Sequence, residues 1–533
     1  CDWSSDVCSS DLEKFDCENQ SVIDLSGPLL QKYDPNSAIA RDLNSIALNL
    51  SKKDSTLWGE AARAEAANRL DWLTLPTESM SLIEEIKDIK LWMSERKLEN
   101  IILCGMGGSS LAPEVFGKTF SKSITIIDST DPNQINAISP DSLANTLFIV
   151  GSKSGSTIET ASQKLYFESR LMAEGLNPKD HFLIITDPAS PLDESARKSG
   201  YKVVNANPNV GGRFSALSAF GIVPAGLLGI DIAKGLNDAT SAAHEFVTEN
   251  SVAIKVATLL TEQAEQCIAF SDAGSNVPGI SDWIEQLIAE STGKDGKGRI
   301  PVVIEDFGAD IGGDVPLISF SSGSADLAVE GNLFEQFIFW EWVTALMGRA
   351  LSVDPFNQPN VTEAKERTAK ILESWPPTEP TPNFESDNLK IFAEKNYSSL
   401  DAALVQFLIP DSKYLAIMAY LNRIIDAELV RIREILASKL SLPVTFGWGP
   451  RFLHSTGQFH KGGPLNGKFL QITGESDLDL AIPEKSFSFH DLLMAQALGD
   501  GQALSSRELP LLRIHLKNRA LGISEIIAAL KKL

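Results

Sequence analysis

The run Leu147–Thr160, LFIVGSKSGSTIET, joins three kinds of sequence. Leu147-Phe148-Ile149-Val150 is a continuous apolar stretch, as expected of a strand buried on both faces. Gly151–Thr157 is rich in glycine and hydroxyl groups. After it the apolar spacing of Ala161, Leu165, Phe167 and Leu171 is helical. The stretch therefore predicts a strand, a loop and the start of a helix. Such a loop offers backbone N–H groups, the hydroxyls of Ser152, Ser154 and Thr157, the amine of Lys153 and the positive end of a helix dipole. Together these suit a phosphate monoester. The same residue types also make an ordinary helix cap and turn, so the segment alone leaves both readings open.

The strand–loop–helix pattern repeats outward. Short apolar runs at Asn100–Cys104, Ile124–Ile127, Phe182–Ile185 and Val203–Val204 alternate with helical stretches, which predicts a parallel sheet covered on both faces. In such sheets ligands sit beyond the carboxyl ends of strands. Two glycine- and serine-rich loops, after Cys104 and after Val150, lie there. A second block follows, with strands at Cys267–Phe270, Val302–Ile304 and Leu317–Phe320 and helices at Ile280–Ala289, Leu333–Leu351 and Val361–Leu372. WPPTEPTP at Trp375–Pro382 reads as a stiff linker. The remainder is again α/β, with strands at Leu389–Phe392, Tyr414–Met418, Val444–Phe446, Phe469–Ile472 and Leu511–Ile514. Upstream, Ala38–Leu50, Leu57–Leu73 and Ile83–Trp92 read as helices. The expected division is 1–12 foreign, 13–95 helical, 96–240 and 241–375 two α/β domains, and 376–533 a C-terminal α/β block.

Composition narrows the function classes. The chain has 533 residues, 43% of them hydrophobic, with a mean hydropathy of −0.03, and no apolar run approaches the length of a membrane span. Its formal charge of −23 argues against a nucleic-acid partner, and no basic stripe is evident. Any phosphate site must therefore gather positive charge locally. The first twelve residues, CDWSSDVCSSDL, resemble translated sequencing-adapter sequence, and an upstream domain would then lie outside this chain. They lack the basic and apolar regions of a signal peptide. Cys17, Cys104 and Cys267 are widely spaced and form no metal or disulfide pattern, which suits a reducing cytoplasm.

Five segments could carry chemistry. GMGGSS, Gly105–Ser110, follows a strand. With Asp128 about 20 residues on it could hold a dinucleotide, although Ser110 occupies the third glycine position. Otherwise it turns tightly to bring amides and Ser109 to a polar ligand. GGRFS presents Arg213 after two glycines, where a fixed cation could stabilise an oxyanion, although a surface ion pair is the commoner fate of an arginine. In WIEQLIAESTGK, Gln286 and Glu290 lie four apart on one helix face, and Glu290 near the helix end is a candidate general base or a solvated carboxylate. FNQPNVTEAK sets Gln358 in a loop and Lys365 about two turns into a helix. HSTGQFHKGGP carries His454 and His460 among small and turn residues, a better setting for proton transfer than those of His181, His244, His490 and His515. No cluster has metal-ligand spacing.

These five segments together resemble the phosphoglucose isomerase family, in the form found as the isomerase half of bifunctional transaldolase/glucose-6-phosphate isomerases. The likeness runs from about residue 40 to the C-terminus. It implies two sugar-isomerase domains and the interconversion of D-glucose 6-phosphate and D-fructose 6-phosphate through a cis-enediolate, without metal or redox cofactor. It implies sugar contacts from Gly108 and Ser109 and phosphate contacts from Ser152, Lys153 (mainly its backbone), Ser154 and Thr157. It places the catalytic glutamate on Glu290, its partner glutamine on Gln286, the arginine on Arg213, a substrate-contacting glutamine on Gln358 and the lysine on Lys365. The family's ring-opening histidine usually lies between the glutamate and lysine motifs, but here 290–365 contains none. The nearest likeness, TGQFHKGGP, puts the role on His460, with His454 as the fallback. That histidine commonly comes from a second subunit, so the resemblance also raises a homodimer. The expected partner is a small sugar phosphate, with neither nucleic acid nor membrane. The alternatives are another sugar-isomerase-type phosphosugar isomerase, a non-catalytic sugar-phosphate-binding module, or an NAD(P)-dependent oxidoreductase built on GMGGSS.

Overall fold

The computed structural model describes residues 23–533 apart from 324, 379 and 410, so the expected foreign segment 1–12 and Cys17 lie outside the described residues. The described residues build three sheets flanked by helices. The first runs, in spatial order, Thr125–Ile127, Asn100–Gly105, Thr146–Gly151, Phe182–Thr186 and Lys202–Asn205, all parallel. Its central strand Thr146–Gly151 is buried at every position, which is why it reads as an unbroken apolar run. The second sheet joins Leu327–Glu330, Leu317–Ser319, Cys267–Ser271 and Ile300–Val303 in parallel. Asp24–Ser26 from the N-terminal segment pairs antiparallel on its edge. In the third sheet Val444–Trp448, Tyr414–Tyr420, Gly467–Gly474 and Leu511–Leu516 are parallel, and Leu389–Phe392 runs antiparallel. The α/β architecture with parallel sheets is thus the one expected from the alternation of elements.

One expected helix is different. Leu57–Leu73 is broken into a short helix, Arg63–Ala66, and a 3-10 turn, Asp71–Thr74. Between them Leu70 forms an isolated antiparallel bridge with Val210, so tertiary pairing overrides the helical spacing. The bridge brings the N-terminal segment beside Gly211-Gly212-Arg213.

The third sheet is fastened to the first by a buried ionic cluster. Glu114, on the helix Leu111–Thr119, accepts from Arg423 Nη1 at 2.8 Å and from Arg451 Nη1 at 2.7 Å, and Arg451 also meets Asp128 Oδ2 at 3.0 Å. Burial pushes the Glu114 carboxyl up, but Arg451 and Arg423 outweigh it and hold the group well below the usual carboxylate range. Arg451 begins the 3-10 turn that ends at His454, so the cluster also fixes that turn. Removing one partner strands buried charge, and Glu114→Gln is expected to cost about 3–5 kcal/mol in urea unfolding at neutral pH. Because the folded carboxyl is depressed, its stabilisation is present above the unfolded value, about 4, and is lost as pH falls. The gap between variant and parent should therefore narrow below about pH 4.

Candidate active site

The loops after the first sheet's strands meet the helix Ile280–Thr292 and the turn Arg451–His454 around a cavity of about 370 Å³. Gly107–Ser109 forms its floor as a 3-10 turn directly after Asn100–Gly105. A Cβ on Gly108 would stand 1.9 Å from the Gly212 carbonyl oxygen, so only glycine allows the two loops to touch.

At one end is the hydroxyl-rich loop. Lys153, Ser154 and Thr157 line the cavity. Ser152 is buried beneath them, its Oγ donating to Thr157 Oγ1 at 3.2 Å. Thr157 occupies the N-cap position of Ile158–Ala173 without bonding the helix through its side chain, which leaves the helix N-terminus open to an anion. Lys153 is tied down: its Nζ donates to Asp187 Oδ2 at 2.5 Å and to the Pro208 carbonyl at 3.2 Å. Burial lowers its affinity for a proton, an effect that Asp187 opposes.

At the other end Glu290 is 8% exposed. Its Oε2 accepts from Gln286 Nε2 at 3.1 Å, one helical turn away, and its Oε1 lies 3.3 Å from Arg213 Nη1. Arg213 is buried and heavily engaged. Nε donates to Ser291 Oγ at 2.7 Å, Nη1 to Gln358 Oε1 at 3.0 Å, and Nη2 to the carbonyls of Pro355 and Asn357. Burial lowers its pKa, opposed by Glu290 and Asp354. The cavity therefore receives the charge of Arg213 more than a spare N–H. Lys294, also buried, donates to the Asp354 carbonyl and braces the loop that carries Gln358. Gln358 and Lys365 line the cavity too, and Lys365 Nζ has no hydrogen-bond partner among the described residues.

The structure places the two candidate histidines differently. His460 lies in a short helix, Gly457–Gly462, and is 3% exposed. Its Nδ1 is 3.0 Å from Tyr414 Oη, its ring stacks on Tyr414 and meets Phe469 edge-on, and it does not line the cavity. Burial, with Lys461 beside it, pushes its pKa down to about 3. The histidine in the cavity is His454, supplied by the same chain. Its Nε2 is 3.0 Å from Glu159 Oε1, and its carbonyl accepts from Gln286 Nε2 at 2.6 Å. Nδ1 has no partner among the described residues. Burial pushes the Glu159 carboxyl up, but His454 and Lys365 outweigh it, so the group sits below its ordinary value. Gln496 Nε2 holds the same Glu159 oxygen at 2.7 Å. An ionised Glu159 fixes the proton on Nε2 and leaves Nδ1 to exchange protons with a ligand.

Two residues at the site escaped the sequence reading: Arg69, from the N-terminal segment, which lines the cavity, and Glu159, the first-turn acid of its helix, which is buried behind His454. Glu159 could have been noticed as a carboxylate directly after the hydroxyl loop. Arg69 carried no local signal. Asp128, the residue a dinucleotide reading would need, is 1% exposed and paired with Arg451, so it is not free for a ribose. Among the described residues no group of three or more His, Cys, Asp and Glu could hold a metal ion, and no helix is long and apolar enough to cross a membrane.

Residues 77–294 match the family model described as phosphoglucose isomerase. The glucose-6-phosphate isomerase of Campylobacter jejuni is 32% identical over 228 residues, covering 40% of this chain and 55% of that protein. That of Thermus thermophilus is 32% identical over 251 residues, 44% of this chain and 58% of that protein. The chain thus spans about half the length of the curated relatives it matches. A glucose-6-phosphate isomerase from Chlamydia trachomatis shares the fold, with a TM-score of 0.53 at 19% identity over 66% of this chain and 89% of that one. The matched stretch holds both glycine loops, Arg213, Gln286 and Glu290, whereas Gln358, Lys365 and His454 lie beyond it. Across residues 77–294 this chain is thus similar to the phosphoglucose isomerase family.

Proposed function

We propose that the chain catalyses the reversible isomerisation of D-glucose 6-phosphate and D-fructose 6-phosphate. The observation that carries the reading is Glu290, held between Gln286 and Arg213, across one cavity from the hydroxyl loop that ends at Thr157. The loop and helix N-terminus would take the phosphate and leave the other end of the sugar to the reacting groups. His454 Nδ1, with Lys365, would pass a proton between the ring oxygen and the anomeric hydroxyl, opening the ring. Glu290 would then take the proton from carbon 2 and return it to carbon 1. The enediolate formed between those steps carries negative charge, and Arg213, engaged and immobile, offers a fixed positive charge that needs no reorganisation. The phosphate, remote from the chemistry, contributes orientation.

Ring opening breaks the bond between carbon 1 and the ring oxygen, and as the carbon-bound proton moves from carbon 2 to carbon 1 a hydroxyl proton passes from O2 to O1, so the reaction balances with no oxidant or reductant. A cytoplasmic setting belongs to this proposal, in keeping with the buried free thiols Cys104 and Cys267. A homodimer remains part of it, with each copy lining its own cavity. The test is a coupled assay, with fructose 6-phosphate supplied and glucose 6-phosphate detected by an NADP-linked dehydrogenase. Turnover by the purified chain supports the reading. No turnover, with another ketose or aldose 6-phosphate isomerised instead, replaces it with a different phosphosugar isomerase.

A further inference from the structure

Arg69 stands outside the matched stretch 77–294, yet it lines the cavity. Its backbone is fixed by the neighbouring Leu70–Val210 bridge, two residues before Gly212. Its side chain is aimed by three contacts: Nε donates to Glu65 Oε1 at 2.8 Å, and Nη1 donates to the carbonyls of Pro208 at 3.1 Å and Asn68 at 3.3 Å. Lys153 Nζ donates to that same carbonyl, so the guanidinium stands at the hydroxyl-loop end of the cavity. Nη2 has no protein partner among the described residues. The side chain is 29% exposed, reachable by a ligand yet partly shielded from water.

The other cations of the cavity are differently committed. Lys153 is held by Asp187 at 2.5 Å. Arg213 donates to Ser291, Gln358, Pro355 and Asn357 and faces Glu290. Lys365, on the helix Pro359–Glu373, shares a pocket with Ser156 and Thr157 at the end of the loop and with His454. Arg69 thus stands beside Lys153 at the hydroxyl-loop end as a cation whose Nη2 remains open to a ligand. A chain with a formal charge of −23 needs local positive charge to draw in an anion. Planar guanidinium N–H groups match phosphate oxygens well.

Building on the isomerase reading, we propose that Arg69 binds the phosphate dianion of the substrate from the side opposite the Ser154–Thr157 loop, and that it sets the preference for phosphorylated over neutral sugars. Its contact is made equally in ground and transition states, because the phosphate does not react. The expected signature is therefore a change in KM with kcat preserved.

The experiment compares the full chain with Arg69→Gln, Arg69→Lys and Glu65→Gln, in the coupled assay and in calorimetric titration with inorganic phosphate. Arg69→Gln is expected to raise KM and weaken inorganic phosphate binding, each by about 10–100-fold, the range of a charge-assisted hydrogen bond, with kcat within about threefold. Arg69→Lys should recover part of the loss, and Glu65→Gln, which keeps an acceptor for Nε, should behave like the parent. Parental KM and phosphate affinity in Arg69→Gln would overturn the assignment. So would a fall in kcat at unchanged KM, or a Glu65→Gln variant as impaired as Arg69→Gln, since either marks a structural role. If the parent binds phosphate but isomerises nothing, the isomerase reading fails, and the titration alone decides whether Arg69 holds phosphate.

Discussion

Glu290→Gln is expected to cut turnover of fructose 6-phosphate by about 10²–10⁴-fold or more while leaving the fold in place, since general base catalysis alone supplies that factor. The substitution keeps the shape of the side chain and one oxygen. In the folded chain the carboxylate has two neighbours, Gln286 Nε2 at 3.1 Å and Arg213 Nη1 at 3.3 Å, and an amide can still accept from either one. Arg213 loses its nearest counter-charge but keeps its donations to Ser291, Gln358 and the carbonyls of Pro355 and Asn357, so the loop should hold. The base is what disappears, because an amide cannot take the carbon-2 proton. Inorganic phosphate should bind the variant as it binds the parent, because the hydroxyl loop is at the other end of the cavity. Glu290→Asp should fall between the two, since it keeps the base but withdraws it by one methylene. A Glu290→Gln protein with near-parental kcat would remove Glu290 from the proton transfer and, with it, the observation on which the reading rests.

The sequence made some of this site legible and hid the rest for identifiable reasons. Strand–loop–helix units declare themselves locally: in the strand Thr146–Gly151 the run Leu147–Val150 is apolar because both faces are covered, and its loop carries glycine and hydroxyls. Gln286 and Glu290 are joined by helical period, and the structure closes that pair with a hydrogen bond. What the sequence could not convey was approach between distant segments. Arg69 reaches the cavity only because Leu70 pairs with Val210, and nothing near residue 69 announces that bridge. Nothing in the sequence marks Gly108 as a required glycine; the requirement appears only when its backbone meets the Gly212 carbonyl. Glu159 was in plain view beside the serine loop, but its value depends on His454, nearly three hundred residues later. The choice between His454 and His460 turned on burial. Both sit in a glycine-rich setting, but His454 ends the turn Arg451–His454 with its ring at the cavity, whereas His460 lies in the separate helix Gly457–Gly462 with its ring in the packing around Tyr414.

That choice yields the second large effect. His454→Ala is expected to slow turnover of ring-closed glucose 6-phosphate by about 10²–10⁴-fold, the usual worth of a positioned acid–base group. Its effect should be much smaller on exchange of the carbon-2 proton of an aldose phosphate too short to close a six-membered ring. The contrast follows from the proposed division of labour, in which His454 would serve ring opening and Glu290 the carbon-bound proton. Glu159→Gln should reproduce part of the loss, since the amide still meets Nε2 but no longer provides the negative charge that orients and supports the imidazole. His460 should behave in the opposite way. His460→Gln removes a buried partner of Tyr414 Oη and should cost about 1–3 kcal/mol of stability, with kcat on the ring-closed sugar close to that of the parent once the variant is folded. If His460→Gln abolished turnover on ring-closed sugar while His454→Ala spared it, the ring-opening role would pass back to His460. A ring with its Nδ1 occupied by Tyr414 and its pKa pushed down to about 3 is poorly placed for that work, whereas His454 keeps Nδ1 open to the cavity and Nε2 fixed by Glu159.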